Sequence, residues 1–284
     1  MPDASFDEVL AWHPHPDIWV TVAFLALGYL YAIRRIGPNA VAPGQPVVTR
    51  RQVVFWYLGV LTLWLVSDWP IHDIGERSLF SFHMVEHLVF AIVSAPLLLL
   101  GTPSWLARLL IEDTPWEGVI RAVTRPIPAF FFFNFVFIGL HWPVIVEGMV
   151  TSELVHFVVH FAMFLSALAL WTPILSPIPD VLPVLSRPMQ MLYLMATSFA
   201  PIVPASFLTF GRTAIYPIYE TFPRPEGWTA VEDQTVAGLI MKIGGGLLIW
   251  IVIASIWHRW YTQHREEERR HQREWDELEA GLRS

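Results

Sequence analysis

The feature that most constrains this chain is a series of seven apolar stretches, at about 17–36, 52–69, 82–101, 127–148, 153–173, 189–210 and 234–257. Crossing the hydrocarbon core takes roughly 20 mainly apolar residues as a helix. A helix satisfies all its backbone polar groups internally, which hydrocarbon cannot do for it. Strands of a membrane barrel would be shorter and would alternate in polarity. Runs such as FLALGYLYAI and PAFFFFNFVFIG do not alternate. The expected fold is therefore all-α: a seven-transmembrane helix bundle. Composition agrees, because only 15% of residues are charged against about a quarter in ordinary soluble domains. The net charge of −7 provides no basic footprint for nucleic acid, and the absence of cysteine excludes disulfides, thiolate metal sites and thiol nucleophiles.

Orientation follows from the Lys and Arg distribution. With the N-terminus outside, 14 of the 18 basic residues fall on inner segments and 3 (Arg77, Arg212, Arg224) on outer ones, with Lys242 inside the last span. The expected topology is N-out, C-in, in a bacterial inner membrane. No Lys or Arg precedes the first span, so it reads as a retained helix rather than a cleaved signal. Of the 25 acids, 14 lie on the outer side, where they attract cations and basic partners. Residues 1–258 form the membrane domain and 259–284 a charged cytoplasmic helical tail. The loop Thr102–Pro126 reads as a short amphipathic segment on the inner surface.

Two histidine pairs carry the chemistry. His83 and His87 lie in FHMVEHL at the outer end of the third span, and His156 and His160 lie in LVHFVVH near the outer end of the fifth. Four residues along a helix is about 400° of rotation and about 6 Å of rise, so each pair shares one face. Glu86 shares the first face; Glu153 and Met163 continue the stripe of the second, and His141 closes the fourth span at the same depth. Imidazole suits copper, zinc and iron, and thioether sulphur from Met163 or Met149 adds a preference for Cu(I). Haem b, held by one histidine from each of two facing helices, stays open as well. Ionisable groups within spans are costly and point to function. Asp68, at the outer end of the second span, and Lys242 are the other ionisable exceptions; Lys242 is expected to snorkel outward or to pair with Glu220, Glu232 or a buried acid. Asn134 reads as helix–helix glue. His13, His15 and His72 are expected to be structural, because they fall in loops without fixed spacing. No nucleophile elbow, phosphate loop, HExxH or rhomboid-like serine site is visible, and no catalytic residue is assigned.

HMVEHLVF, APLLLLGTP, LHWP, ELVHFVVHFAMFLSALALWTPILSP, YPIYE and EDQTVAGLIM occur in that order. Together they resemble the CtaG family of polytopic cytochrome c oxidase assembly factors, from about Phe82 to Trp257. The resemblance implies a bacterial inner-membrane protein that helps mature a haem–copper oxidase, at a copper-insertion step. The family's histidines fall on His83, His87, His141, His156 and His160, and its DQ-x-x-x-G element on Asp233, Gln234 and Gly238. Glu86 stands where glutamine is common, and Lys242 where an apolar residue is usual. The expected partners are oxidase subunit I or II, periplasmic copper chaperones and membrane lipid. Two other classes stay open on the residues alone: a copper or proton transporter, and a metal- or haem-dependent membrane enzyme using the same histidines. The apolar inner halves of the third and fifth spans count against conduction.

Overall fold

A computed structural model describes residues 5–283; residues 1–4 and 284, the extreme ends of the two expected segments, lie outside the described residues. Among those described, all regular structure is helical. In chain order the main helices are α1 (Pro16–Ala40), α2 (Arg50–Ser67), α3 (Ile71–Arg77), α4 (Phe80–Gly101), α5 (Ser104–Ile111), α6 (Glu117–Val123), α7 (Pro126–Leu140), α8 (Pro143–Thr151), α9 (Glu153–Leu175), α10 (Arg187–Phe210) and α11 (Ala230–Glu277). Five of them (α1, α4, α9, α10 and α11) are long and apolar enough to cross a membrane, and the number rises to seven if the bent pairs α2–α3 and α6–α7 each form one span.

The second and fourth apolar stretches are where the sequence expectation and the structure part. The fourth apolar stretch does not run as one helix from 127 to 148. It ends at Leu140 and restarts at Pro143. Pro143 has no N–H to donate and disfavours helical backbone at the residue before it; Trp142 is accordingly extended, at φ −71° and ψ 134°. The 15 residues of α7 span only about 22 Å at 1.5 Å per residue. A bend of 82° links α7 to α6. The second stretch likewise stops at Ser67, and the chain turns 40° into α3, a helix where the sequence predicts a loop. The amphipathic loop expected at Thr102–Pro126 holds two short helices, α5 and α6. The charged tail continues α11 without a break.

Helix α4 occupies the centre. Its first turns pack on α3 and α11, and its later turns on α2 and α9. Two close approaches make this packing tight. A Cβ at Gly101 would sit 2.5 Å from the Trp56 backbone nitrogen, and one at Gly245 would sit 2.9 Å from a Leu88 methyl. Helix α4 widens into a π turn at Val89–Ser94, a local distortion often found beside functional sites. The Trp171 indole of α9 donates to the Ala91 carbonyl inside this turn at 2.7 Å. The Thr62 and Ser94 hydroxyls meet at 2.9 Å and tie in α2. The core gathers Phe80, Met84, Trp171, Leu194 and Met241. Outside it, Phe24, Phe131, Phe135, Phe157 and Phe207 project their rings outward, the arrangement of a helix bundle whose solvent is lipid. At the opposite end from the histidines, Arg108 bonds Glu112 and Asp180, both at 2.6 Å. Its guanidinium holds the Asp180 carboxyl below the usual carboxylate range.

Candidate metal centre

The first turn of α4 positions the site. A helix begins with N–H groups that have no partner in their own helix. Here Asp233 of α11 supplies the acceptor, receiving the Phe80 N–H at 2.6 Å and the Ser81 N–H at 3.2 Å. Its neighbour Gln234 accepts from the Ile215 N–H at 2.6 Å and donates to the Leu208 and Thr213 carbonyls at 3.3 and 3.4 Å. A Cβ at Gly238 would lie 2.8 Å from the Ala205 carbonyl oxygen. The Asp-Gln and Gly element therefore clamps α4, α10 and α11 together at the level of the histidines.

One turn beyond the clamp, His83 and His87 face α9. Each of His83, His87 and His160 can offer one ring nitrogen such that all three lie within 4.8 Å of one another. His87 Nε2 is 3.2 Å from His160 Nε2. Two nitrogens on a tetrahedral ion at about 2.0–2.1 Å stand about 3.3–3.4 Å apart, so this pair already has the spacing of metal ligands. The setting is dry: His83 is 2%, Glu86 1% and His87 3% exposed. Among the described residues, five imidazole nitrogens of the cluster have no hydrogen-bond partner: His83 Nε2, His87 Nδ1, His141 Nε2 and both of His156. A buried unpaired polar group costs about 1–3 kcal/mol. That cost is offset where such a nitrogen receives a ligand, and two of the five, His83 Nε2 and His87 Nδ1, belong to the triad.

Carboxylates surround the imidazoles. Glu86 Oε1 lies 3.2 Å from His72 Nδ1 and 3.6 Å from His160 Nδ1. Histidines that hold metals commonly give their second ring nitrogen to such a group, which fixes the tautomer and aims the first. His141 anchors differently: its Nδ1 meets the Phe137 carbonyl at 2.6 Å, its own carbonyl accepts from the Tyr216 hydroxyl at 2.8 Å, and its ring is 6.4 Å from that of His87.

The family model of the cytochrome c oxidase caa3 assembly factor (Caa3_CtaG) matches residues 27–263. This chain belongs to that family. The match takes in every residue of the triad and the clamp, and extends the resemblance seen from Phe82 to Trp257 in both directions. No curated protein and no solved structure matches.

Within this assembly factor the sequence-expected residues divide clearly. His83, His87 and His160 converge, and His141 adjoins them. His156 lies one turn outward, with its ring 4.2 Å from that of His160. Glu86 reaches the site; Glu153 is exposed on the first turn of α9, where a carboxylate complements the helix dipole. Met163 and Met149 are buried, and Met163 is packed in the apolar core. Asp68 accepts the Trp19 and Trp64 indole N–H groups at 2.8 and 2.7 Å and so ties α1 to the end of α2. Lys242 sits in a π turn with its ammonium 5.7 Å from the Phe210 ring centre, and has no ion-pair partner among the described residues. Asn134 bonds back to the Phe130 carbonyl of its own helix at 2.7 Å rather than across to a neighbour.

Three residues set aside or unremarked in the sequence belong to the cluster. His72 is buried on α3 against Glu86, with its ring 5.1 Å from that of His156. Glu76 stands between His72 and His156. Asp73, wholly buried, binds His15 Nε2 at 2.8 Å. His72 and Glu76 are spaced i, i+4, the signal already used for the two recognised pairs; the turn-rich flanks of IHDIGER concealed the helix that carries them.

Proposed function

We propose that this protein is a copper-handling assembly factor of a bacterial inner membrane that holds the ion at His83, His87 and His160 and passes it to a haem–copper cytochrome c oxidase. The family supplies the process, oxidase maturation. The observation that carries the chemistry is the convergence of three imidazoles from two helices, two of them buried and the third partly buried. Three neutral imidazoles suit Cu(I), with its low coordination number, and exclude no softer partner ligand during transfer. Zinc fits the same donors, and copper is preferred because it is the metal that the oxidase must receive. With α2–α3 and α6–α7 each taken as one span, the chain crosses seven times. The arginine distribution then puts the N-terminus and the histidines outside and the tail of α11 in the cytoplasm. Oxidase subunit I or II receives the copper by ligand exchange, and a periplasmic copper chaperone supplies it.

The test is anaerobic loading of the detergent-purified protein with Cu(I), removal of loose metal and elemental analysis. One ion per chain is expected, and it should be lost in the His83→Ala/His87→Ala/His160→Ala variant, which should also fail to support oxidase assembly in cells lacking the wild-type protein. Copper retained equally by both proteins, or by neither, overturns the reading.

A further inference from the structure

The segment that leads into α1 is tied down on α3. Val9 packs on Ile74, Leu79 and Phe82, the Trp69 indole donates to the Leu10 carbonyl at 3.2 Å, and His15 Nε2 meets the Asp73 carboxylate at 2.8 Å. These contacts set the His15 ring against His72, with centroids 5.3 Å apart. From there the imidazoles run on in file: His72 to His156 at 5.1 Å, His156 to His160 at 4.2 Å, and His160 to His87 at 5.0 Å. Such spacings are contact distances for aromatic rings, and they leave no room for another side chain between one imidazole and the next. One end of the file is open and the other is closed. The side chain of His13, two residues from the first ring, is 35% exposed. At the inner end the rings of Phe90 and Phe164 follow His160, so the file stops at the triad and does not continue as a channel.

We propose that His15, His72 and His156 are the loading path along which Cu(I) passes from the outer surface to the triad. This rests on the reading of the triad as a copper site. Carboxylates accompany the path: Asp73, wholly buried, at His15; Glu86 at His72; and Glu76 between His72 and His156. Negative charge in a setting of low dielectric favours a passing cation. Two of the carboxylates also fix which nitrogen is free. His15 donates its Nε2–H to Asp73 and His72 its Nδ1–H to Glu86, which leaves a lone pair on His15 Nδ1 and on His72 Nε2. Among the described residues neither nitrogen of His156 has a hydrogen-bond partner, so one lone pair is free in either neutral tautomer. Each transfer forms one nitrogen–copper bond as another breaks. The ion stays Cu(I), the rings stay neutral and no electron moves. A low coordination number suffices for each intermediate, so no closed three-ligand site is needed along the way.

The test measures the rate of loading separately from its end point. Full-length protein in detergent is mixed anaerobically with Cu(I) held by a weak coloured chelator, and loss of the colour is followed by stopped flow. Protein concentrations are chosen at which the rate rises in proportion to protein, so that release from the chelator does not set it. His72→Phe and His15→Phe each keep a flat ring and remove the donor nitrogens. Each should slow loading about tenfold or more and still reach the wild-type copper content of one ion per chain. His264→Phe, on the tail of α11, should load at the wild-type rate. His15→Phe lies outside the helix bundle and decides the matter if His72→Phe fails to fold. The proposal is overturned if the variants load as fast as the wild type or faster, or if they lose copper at equilibrium, which would make these rings part of the binding site and not a route to it. Wild-type protein that takes up copper with rates indifferent to His15 and His72 sinks the path alone. Wild-type protein that takes up none sinks the copper reading of the triad and the path with it.

Discussion

Asp233→Asn tests whether the clamp on α4 builds the site. The wild-type carboxylate accepts two backbone N–H groups, at 2.6 and 3.2 Å. Bonds to a charged group contribute about 1.5–3 kcal/mol each, against about 1 kcal/mol for neutral ones. Asparagine keeps one acceptor oxygen but turns an NH2 group toward the other N–H, leaving a buried donor unpaired. Burying an amide costs less than burying a carboxylate, which offsets part of that loss. The net expectation is a loss of about 2 kcal/mol, or about 4–8 °C in melting temperature for a chain of this size class. Because the loosened turn precedes His83, Cu(I) affinity should fall as well, by about tenfold for each 1.4 kcal/mol that reaches the site. Unfolding is followed in detergent by tryptophan fluorescence, using the 14 native tryptophans. Affinity is read by competition with a chromogenic Cu(I) chelator. If Asp233→Asn melts with the wild type and binds copper equally, α4 is not positioned by this contact and the account of the clamp is wrong.

Gly75→Ala should separate α3 from α4, since the new Cβ would lie 2.9 Å from the His83 nitrogen; a loss of about 1–3 kcal/mol in a denaturant titration is expected, with copper stoichiometry at the triad preserved. Trp171→Phe removes the indole bond to the Ala91 carbonyl and should cost about 1–3 kcal/mol by the same assay, again without loss of copper. Lys242→Met should leave copper stoichiometry unchanged by elemental analysis, because the ammonium faces the Phe210 ring and not the histidines. Arg108→Ala should let the Asp180 carboxyl return to its ordinary range. A carboxyl depressed by folding stabilises above its unfolded pKa, and that contribution is lost as pH falls through the depressed value. The melting-temperature gap between wild type and Arg108→Ala should therefore narrow on acidification.

How much was legible in the sequence depends on the range of the interaction that each residue makes. The His83/His87 and His156/His160 pairs each lie one turn apart on a single helix, because helical periodicity is set within a few residues, and the ordered family motifs are local patterns of the same kind. The same rule applied to IHDIGER would have put His72 and Glu76 on one face, but Pro70 and the turn before it made the segment look like a loop. Glu153 and Met163 fit the spacing of the α9 stripe, yet lie at the exposed end and in the core respectively. A stripe ten residues long reaches farther along the helix than one ion can. Asp233 was singled out through the family motif, without its partner in view, since the α4 N-terminus it caps lies more than 150 residues away in the chain.

The sequence by itself determined the all-helical class, the histidine-bearing ends of the third and fifth apolar stretches and membership of an oxidase assembly family, because each is written in composition or in short-range order. Only the tertiary structure decided which histidines meet. His83 and His87 turn toward His160 because Gly245 and Asp233 seat α11 against α4, and because the Trp171 indole bonds α9 to the widened turn below. His156 is left one turn outward, where α3 brings His72 and Glu76 to it. Those approaches are set by packing between helices far apart in the chain, and no spacing within a single helix encodes them.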